Sequence, residues 1–496
     1  MDASTQETVP ESLAPSGALD GKLVQGIAWT GGVKWSTQIV AWAATLFVAR
    51  VLSPDDYGLV GMATVYLGLV TMLSEFGIGT TIITLRDLTT REIAQLNGFS
   101  ILLGLGGFAL SCLAAAPIGA FFRSARLPLV VVAMSTTFII SSFQSVPSAL
   151  LQRDLRFKLI SLIDGTKTMV LALATVLFAL GGLRYWTLVL GAILSALIST
   201  TLTLCIRRHA FAMPQFKTLS CSLRFSWHVL ISRLSWYAYS NSDFVVSGRV
   251  LGQLALGAYS VAWNLANVPV EKITGVLNGV TPALFSAVQK EKAELRRYLL
   301  NLTEAIALLT LPLSIGLGLV TSDFVTVLLG QKWSIAVTPL RFLAFYVTVR
   351  SITPLLPIVL NVVGESRFNM WNSIGMAIVL PAGFLFGSRW GNAGIAAAWM
   401  IAYPVAAIPM YWRAFRKIEL PWGVYLNVLG PSALGSLFMA ATVLILQRTG
   451  LSTSRPEVRL IATIIAGAVA YILVAGGLNF RRRKNLARIL RVLRTA

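Results

Sequence analysis

Hydrophobic runs broken by charged or turn-rich clusters recur along almost the whole chain, at lengths that a bilayer demands. A spanning helix needs about 20 mostly apolar residues. Fourteen runs meet that demand, at 26–50, 58–83, 97–120, 128–151, 159–181, 185–206, 226–250, 254–287, 303–322, 337–362, 368–388, 393–412, 425–446 and 458–479. The eighth is too long for one straight span. Its lower part, with Pro269, Glu271 and Lys272, is expected to bend or to run along the interface. The pattern predicts an all-α polytopic membrane protein of about 14 transmembrane helices.

Composition agrees. Of 496 residues 56% are apolar and 12% charged, against about 25% charged in soluble domains. This excludes a soluble multidomain enzyme, a disordered chain and a secreted disulfide scaffold. Cys112, Cys205 and Cys221 are scattered, without CxxC spacing, and His209 and His228 have no ligand-like partners nearby, so no metal site is expected. P-loop, GxGxxG, GxSxG and HExxH patterns are missing from the sequence. The chain is therefore expected to need no cofactor, to catalyse no reaction and to make no direct use of ATP. The first twenty residues carry Asp2, Glu7, Glu11 and Asp20 and no Lys or Arg. A signal peptide would begin basic, so an uncleaved, mobile acidic tail is expected over 1–21.

Lys and Arg number 41 and Asp and Glu 20, a net charge of +21. In a soluble protein that balance would suggest nucleic acid; here the placement of the charges decides. With both termini inside, 25 of the 41 basic residues fall in inner segments, 11 in outer segments or at the outer ends of spans, and five deeper within spans. The bias predicts cytoplasmic N and C termini and an even number of spans. Two inner segments, 207–225 and 481–496, mix Arg with Leu, Phe and Met. Both are expected to anchor on anionic membrane lipid, and no nucleic-acid partner is expected.

An internal repeat is visible. Arg50-Val51-Leu52 precedes Gly58 as Arg249-Val250-Leu251 precedes Gly257, at an offset of 199 residues. The same offset places Lys34-Trp35-Ser36 on Arg233-Leu234-Ser235. Six spans separate the two copies, so both run in the same direction. That describes a parallel repeat: two bundles related by an axis along the membrane normal, with a substrate site between them and alternating access by rocking.

Ionisable groups inside a bilayer cost several kcal/mol unless paired or wet. Five cations lie there away from the outer ends of the spans: Lys34, Lys167, Arg233, Lys272 and Arg350. Lys34 sits about eight residues, roughly 12 Å, above the inner end of span one. Glu75 lies at similar depth on span two, so a Lys34–Glu75 pair is expected. Asp164 and Lys167 share a face of span five. Lys34 and Arg233 recur by symmetry and are the leading substrate-binding candidates, with Lys167 and Arg350 as helpers. Together they would form a cationic vestibule for an anionic substrate, because Lys and Arg are the usual partners of phosphate oxygens. Glu75 and Asp243 are candidates for ion coupling, with a proton or sodium as the coupling ion. For every one of these residues the rival reading is a snorkelling or ion-paired side chain that only holds the bundle together.

Several strings carry a family resemblance. Gly32-Val33-Lys34-Trp35-Ser36, Ala49-Arg50-Val51-Leu52-Ser53-Pro54-Asp55-Asp56-Tyr57-Gly58 and Glu75-Phe76-Gly77-Ile78-Gly79 resemble the start of Wzx-type lipid-linked oligosaccharide flippases. Ala149-Leu150-Leu151-Gln152-Arg153-Asp154-Leu155-Arg156-Phe157, Gly248-Arg249-Val250-Leu251-Gly252 and Gly330-Gln331-Lys332-Trp333 are similar too. The likeness covers most of residues 26–375 and is nearest to the branch exporting colanic-acid-like exopolysaccharides. Related sequences often show Asp where this chain has Glu75.

What the resemblance implies is a fourteen-helix fold of the multidrug/oligosaccharidyl-lipid/polysaccharide exporter superfamily in a bacterial inner membrane. Its parts would be a 22–206 six-helix bundle, a 207–225 amphipathic cytoplasmic linker, a 226–415 six-helix bundle, two extra transmembrane helices over 416–480, and a basic cytoplasmic tail over 481–496. The implied function is to turn undecaprenyl-pyrophosphate-linked oligosaccharide repeat units from the cytoplasmic to the periplasmic leaflet for exopolysaccharide or lipopolysaccharide biosynthesis. A polysaccharide polymerase and export machinery are candidate partners. Two rivals stand beside it. A multidrug antiporter of the same superfamily would want an acidic cavity, and a membrane-embedded glycosyltransferase or polymerase would want a large loop or an acidic cluster.

Overall fold

The computed structural model describes residues 37–75, 78–84, 88–154, 156–215, 237, 239–449 and 455–479. Among these residues every regular element is a helix. The first half holds α1 (Thr37–Val51), α2 (Pro54–Glu75), α3 (Ile78–Thr84), α4 (Thr90–Phe122), α5 (Leu127–Arg153), α6 (Phe157–Leu180) and α7 (Trp186–Ile206). The second holds α8 (Ser242–Val246, continued by a π-turn Ser247–Leu251), α9 (Gln253–Ala287), α10 (Lys292–Leu328), α11 (Val337–Arg350), α12 (Leu355–Val362), α13 (Ser366–Gly387) and α14 (Gly391–Lys417). Helices α15 (Trp422–Arg448) and α16 (Pro456–Asn479) close the described chain.

Ten stretches among the described residues are long and apolar enough to cross a membrane, and the protein is a multi-pass membrane protein. The difference from fourteen has definite places. Spans one, seven and eight are not among the ten, and spans eleven and twelve form a single run, Ser366–Lys417. That run is a hairpin, because the 3-10 turn Ser388–Trp390 and Gly391 at φ 68° fold α14 back onto α13. Span eight is a single helix. Helix α9 is continuous over 35 residues, a length of about 52 Å at 1.5 Å per residue. It outruns a hydrocarbon core of about 30 Å.

Local chemistry sets the ends of the helices. At the start of α4, the Glu92 backbone N–H donates to Thr89 Oγ1 at 3.2 Å and the Thr89 N–H donates to Glu92 Oε2 at 2.8 Å, a reciprocal cap. Prolines 117, 147, 312, 381, 404, 409 and 431 lie inside long helices. Membrane helices tolerate them because neighbouring groups satisfy the freed carbonyls. The last two helices pack on each other and on α10. Arg459 Nε donates to the buried Asp323 carboxylate at 2.7 Å, and Tyr471 Oη donates to the Leu308 carbonyl at 2.7 Å.

The two halves are packed differently. The apolar core of the second half is dominated by one large cluster, spanning Val246 to Tyr425, with a small one where Val320 of α10 meets Val443 and Leu460 of the last two helices. The first half's core is split into separate clusters around Val130, Ile82 and Val48.

Candidate functional site

Between the separated clusters of the first half lies a cavity of about 470 Å³. Its floor is one face of α5. Thr137, Ser141, Ser145, Ser148 and Gln152 recur every three or four residues, so they stack on one side of the helix. Helices α2 and α4 add Ser74, Ser100 and Gly104, and α6 adds Lys167. Lys167 is the one charged residue among the described lining residues. It is exposed and lines the cavity instead of pairing with Asp164, which is also exposed on α6. The cavity occupies the part of the bundle nearer the predicted cytoplasmic ends of α4 and α5.

At the opposite, predicted outer end the halves are closed against each other by the repeated motif itself. A Cβ on Gly58 would stand 1.9 Å from the Gln253 carbonyl oxygen, and one on Gly257 would stand 1.7 Å from the Pro54 carbonyl oxygen. Pro54 and Gln253 are separated by the same offset of 199 as the two glycines. The contact is therefore reciprocal, as a two-fold axis between α2 and α9 requires, and only glycine permits so close a backbone crossing. Hydrogen bonds surround it. Gln253 Nε2 donates to the Asp55 carbonyl at 2.9 Å, and Ser124 Oγ to Gln253 Oε1 at 3.3 Å. Lys332 Nζ donates to the Val51 carbonyl at 3.0 Å, Trp333 Nε1 to the Ala49 carbonyl at 2.8 Å, and Arg50 Nη1 to the Val327 carbonyl at 3.2 Å. The motif residues Arg50, Gly58, Gly257, Lys332 and Trp333 thus meet at one closure and are not in the cavity.

Among the described residues, aromatic rings fill the centre of the second half. Trp263, Tyr259, Tyr346, Phe384 and Trp399 pack ring against ring at centroid distances of 4.8–6.4 Å. Asp243 of α8 is wholly buried beside them. Its Oδ2 accepts from Tyr259 Oη and Trp399 Nε1, each at 2.8 Å, while Oδ1 has no partner. Arg350, at the end of α11, is half-buried with its guanidinium 5.5 Å from the Trp263 ring centre. It hydrogen-bonds Asn267 and forms an ion pair with Glu271 at 3.3 Å.

Lys34 and Arg233 lie outside the described residues, and so does the expected Lys34–Glu75 pair. Glu75 is the last residue of α2, and its side chain, like that of Lys272, lies outside them too. Of the six candidates, Arg350 and Asp243 stand near one aromatic cluster, whereas Lys167 stands in the first half. The sequence reading missed the hydroxyl face of α5. Its signal was the recurrence of Ser, Thr and Gln at helical spacing from 137 to 152, inside a run treated as uniformly apolar.

Of the predicted amphipathic linker, residues 207–215 are described and lie extended across the start of α4. The Ala212 N–H donates to the Ala94 carbonyl at 3.0 Å, and Asn97 Nδ2 donates to the Ala210 carbonyl at 3.3 Å. Burial, and then the charge of Arg207, push the His209 imidazole below its ordinary pKa range.

Known proteins resemble the chain in both fold and sequence. A solved structure of the lipid II flippase MurJ in an inward closed conformation superposes with a TM-score of 0.74 at 12% identity, over 92% of this chain and 99% of that one. An inward-facing multidrug resistance MATE family transporter of the MOP superfamily gives a TM-score of 0.64 at 15% identity, over 77% of this chain and 94% of that one. Among curated relatives, the lipopolysaccharide biosynthesis protein WzxC of Escherichia coli K12 is 24% identical over 407 residues, covering 78% of this chain and 81% of that one. The succinoglycan biosynthesis transport protein ExoT of Rhizobium meliloti is 24% identical over 479 residues, covering 94% and 96%. The model of the family described as polysaccharide biosynthesis protein matches residues 47–338, more than half of the sequence, and the chain belongs to that family.

Proposed function

We propose that the protein is a flippase that turns undecaprenyl-pyrophosphate-linked oligosaccharide units from the cytoplasmic to the periplasmic leaflet of a bacterial inner membrane, with both termini in the cytoplasm. The observation that carries this reading is the polar cavity of about 470 Å³, set inside an apolar bundle whose halves are locked together at the predicted outer end. Membership of the polysaccharide biosynthesis family supplies the substrate class, and the named roles of WzxC, ExoT and MurJ agree with it.

In this mechanism the cavity admits the polar head from the cytoplasmic side and the polyprenyl tail stays in lipid. Lys34, Arg233 and Lys167 hold the diphosphate. Arg350 joins them by exchanging Glu271 for phosphate oxygens, which suit the planar guanidinium fork. Breaking the Gly58–Gly257 crossing then opens the outer end. Asp243 carries the coupling proton. Trp399 Nε1 is a donor without a lone pair and cannot ligate sodium, whereas the bare Oδ1 has room for a proton. Inward return of that charge is worth about 2.3 kcal/mol per 100 mV of membrane potential. Glu75 is the second coupling candidate.

The test is export in cells that carry Lys34→Ala together with Arg233→Ala. Polysaccharide export should stop, and the lipid-linked precursor should accumulate on the cytoplasmic leaflet with membrane insertion unchanged. A normal polysaccharide yield would remove these two residues from the site. Deletion of the whole chain without precursor accumulation would overturn the flippase reading.

A further inference from the structure

The hydroxyl face of α5 is more than a wet wall. Ser and Thr inside membrane bundles ordinarily hydrogen-bond across to a neighbouring helix, and Ser100 does so here: its Oγ donates to the Ser142 carbonyl at 3.1 Å. On α5, Ser141, Ser145 and Ser148 line the same cavity, and among the described residues no bond of this kind is formed by their hydroxyls. Their neighbour Gln144 is anchored on α7. Its side-chain amide meets Ser199 Oγ and Thr200 Oγ1, each at 3.1 Å, hydroxyls that also reach the Ala196 and Ile140 carbonyls, so one end of the amide is held there and the other remains for the cavity. Thr137 spends its hydroxyl proton on the Met134 carbonyl at 2.7 Å, so its oxygen can serve only as an acceptor. The wall therefore offers hydroxyls at helical spacing, one end of an anchored amide and a single cation, Lys167.

We propose that this wall is a docking site for uncharged sugar residues of the cargo, with Lys167 taking the phosphate beside them; the proposal rests on the flippase reading above. Vicinal hydroxyls on a sugar ring both donate and accept, and they match a surface of hydroxyls with an amide beside them. The volume lies within the roughly 300–1,000 Å³ of ordinary ligand sites. With one cation among the described lining residues, the wall matches neutral units near the phosphate and offers nothing to a run of uronic acids.

The test uses the full-length protein in lipid nanodiscs and three probes: a polyprenyl diphosphate without sugar, the same lipid bearing a neutral trisaccharide, and the same lipid bearing a trisaccharide with two uronates. The neutral trisaccharide should bind about tenfold more tightly than the sugar-free lipid, and the uronate compound should not share that gain. Replacing Ser141, Ser145 and Ser148 together by Ala should erase most of the gain, at roughly 1 kcal/mol or a few-fold per hydrogen bond, while the sugar-free lipid binds as before. Gln144→Leu removes the amide in either orientation and should act in the same direction. Lys167→Gln should weaken all three probes. Unchanged thermal unfolding of each variant shows that the fold has survived. Equal binding of sugar-free and neutral-sugar lipids, or equal weakening of both by the triple variant, would overturn the docking site and leave the flippase reading standing. If none of the probes bound, both would fall.

Discussion

The first half of the repeat is hollow and lined with hydroxyls, whereas the second is filled with aromatic rings around one buried carboxylate. The two share an exit motif and a glycine crossing, so symmetry fixes their backbones but leaves their interiors free to differ. The contrast separates two tasks. A hollow with unspent hydrogen-bonding capacity can take up and release a polar head. A tightly packed core around Asp243 transmits a change of charge, because densely packed interiors switch between discrete arrangements and do not deform smoothly.

The strongest way to break this division is to stop the halves from moving. Cysteines at positions 55 and 253, in a chain with Cys112, Cys205 and Cys221 replaced by Ser, should react with a short bifunctional thiol reagent because Gln253 touches the Asp55 backbone. Transport in vesicles should be abolished by a cleavable reagent and restored on cleavage. Transport that continues through the cross-link would remove the outer closure as a gate.

A smaller effect is expected at the charge centre. Asp243→Asn keeps an acceptor for Tyr259 and Trp399 but cannot titrate. Transport should fall between about fivefold and 150-fold, the range of typical coupling energies, while binding of the lipid-linked head is unchanged. Loss of binding in place of transport would move Asp243 into the cargo site.

The packing contrast itself is tested by stability. Trp399→Ala opens a void among Trp263, Tyr346 and Phe384 and leaves Asp243 with one donor, and should cost about 3–5 kcal/mol. Ser145→Ala, facing the cavity, should change stability by no more than about 0.5 kcal/mol. Equal losses on unfolding would show that the first half is as tightly packed as the second.

The smallest effect concerns the strap over the start of α4. Because the His209 pKa is lowered on folding, its contribution is complete above its ordinary value of 6.5 and declines as the pH falls below it, where the unfolded strap takes up the proton first. Protease cleavage within 207–215 should therefore increase modestly on acidification, and His209→Gln should remove that pH dependence.

Much of this was legible from the residues. Hydropathy placed the spans, because every backbone group in lipid must be satisfied within a helix. The 199-residue offset gave the two-fold relation before any contact was seen, and Gly58 with Gly257 bears it out. The family motifs around Arg50, Gly58, Gly257 and Lys332 belong to the outer closure, whereas the strings that hold Gly79, Ala149 and Gln152 border the cavity. Arg350 was legible as an intramembrane cation but not as a partner of Glu271 and Asn267, which lie on another helix about 80 positions away in sequence. The α5 face was written in the sequence as a period of three to four. In a membrane helix, though, the same period equally describes a packed interface.

The sequence by itself determined the solvent, the secondary structure, the repeat and the family, since each depends on local composition or on comparison along the chain. The tertiary structure alone decided which polar face looks into a void, which half is filled, and which end is closed. Those outcomes depend on how side chains from helices distant in sequence fill the space between them, and no single helix carries that volume.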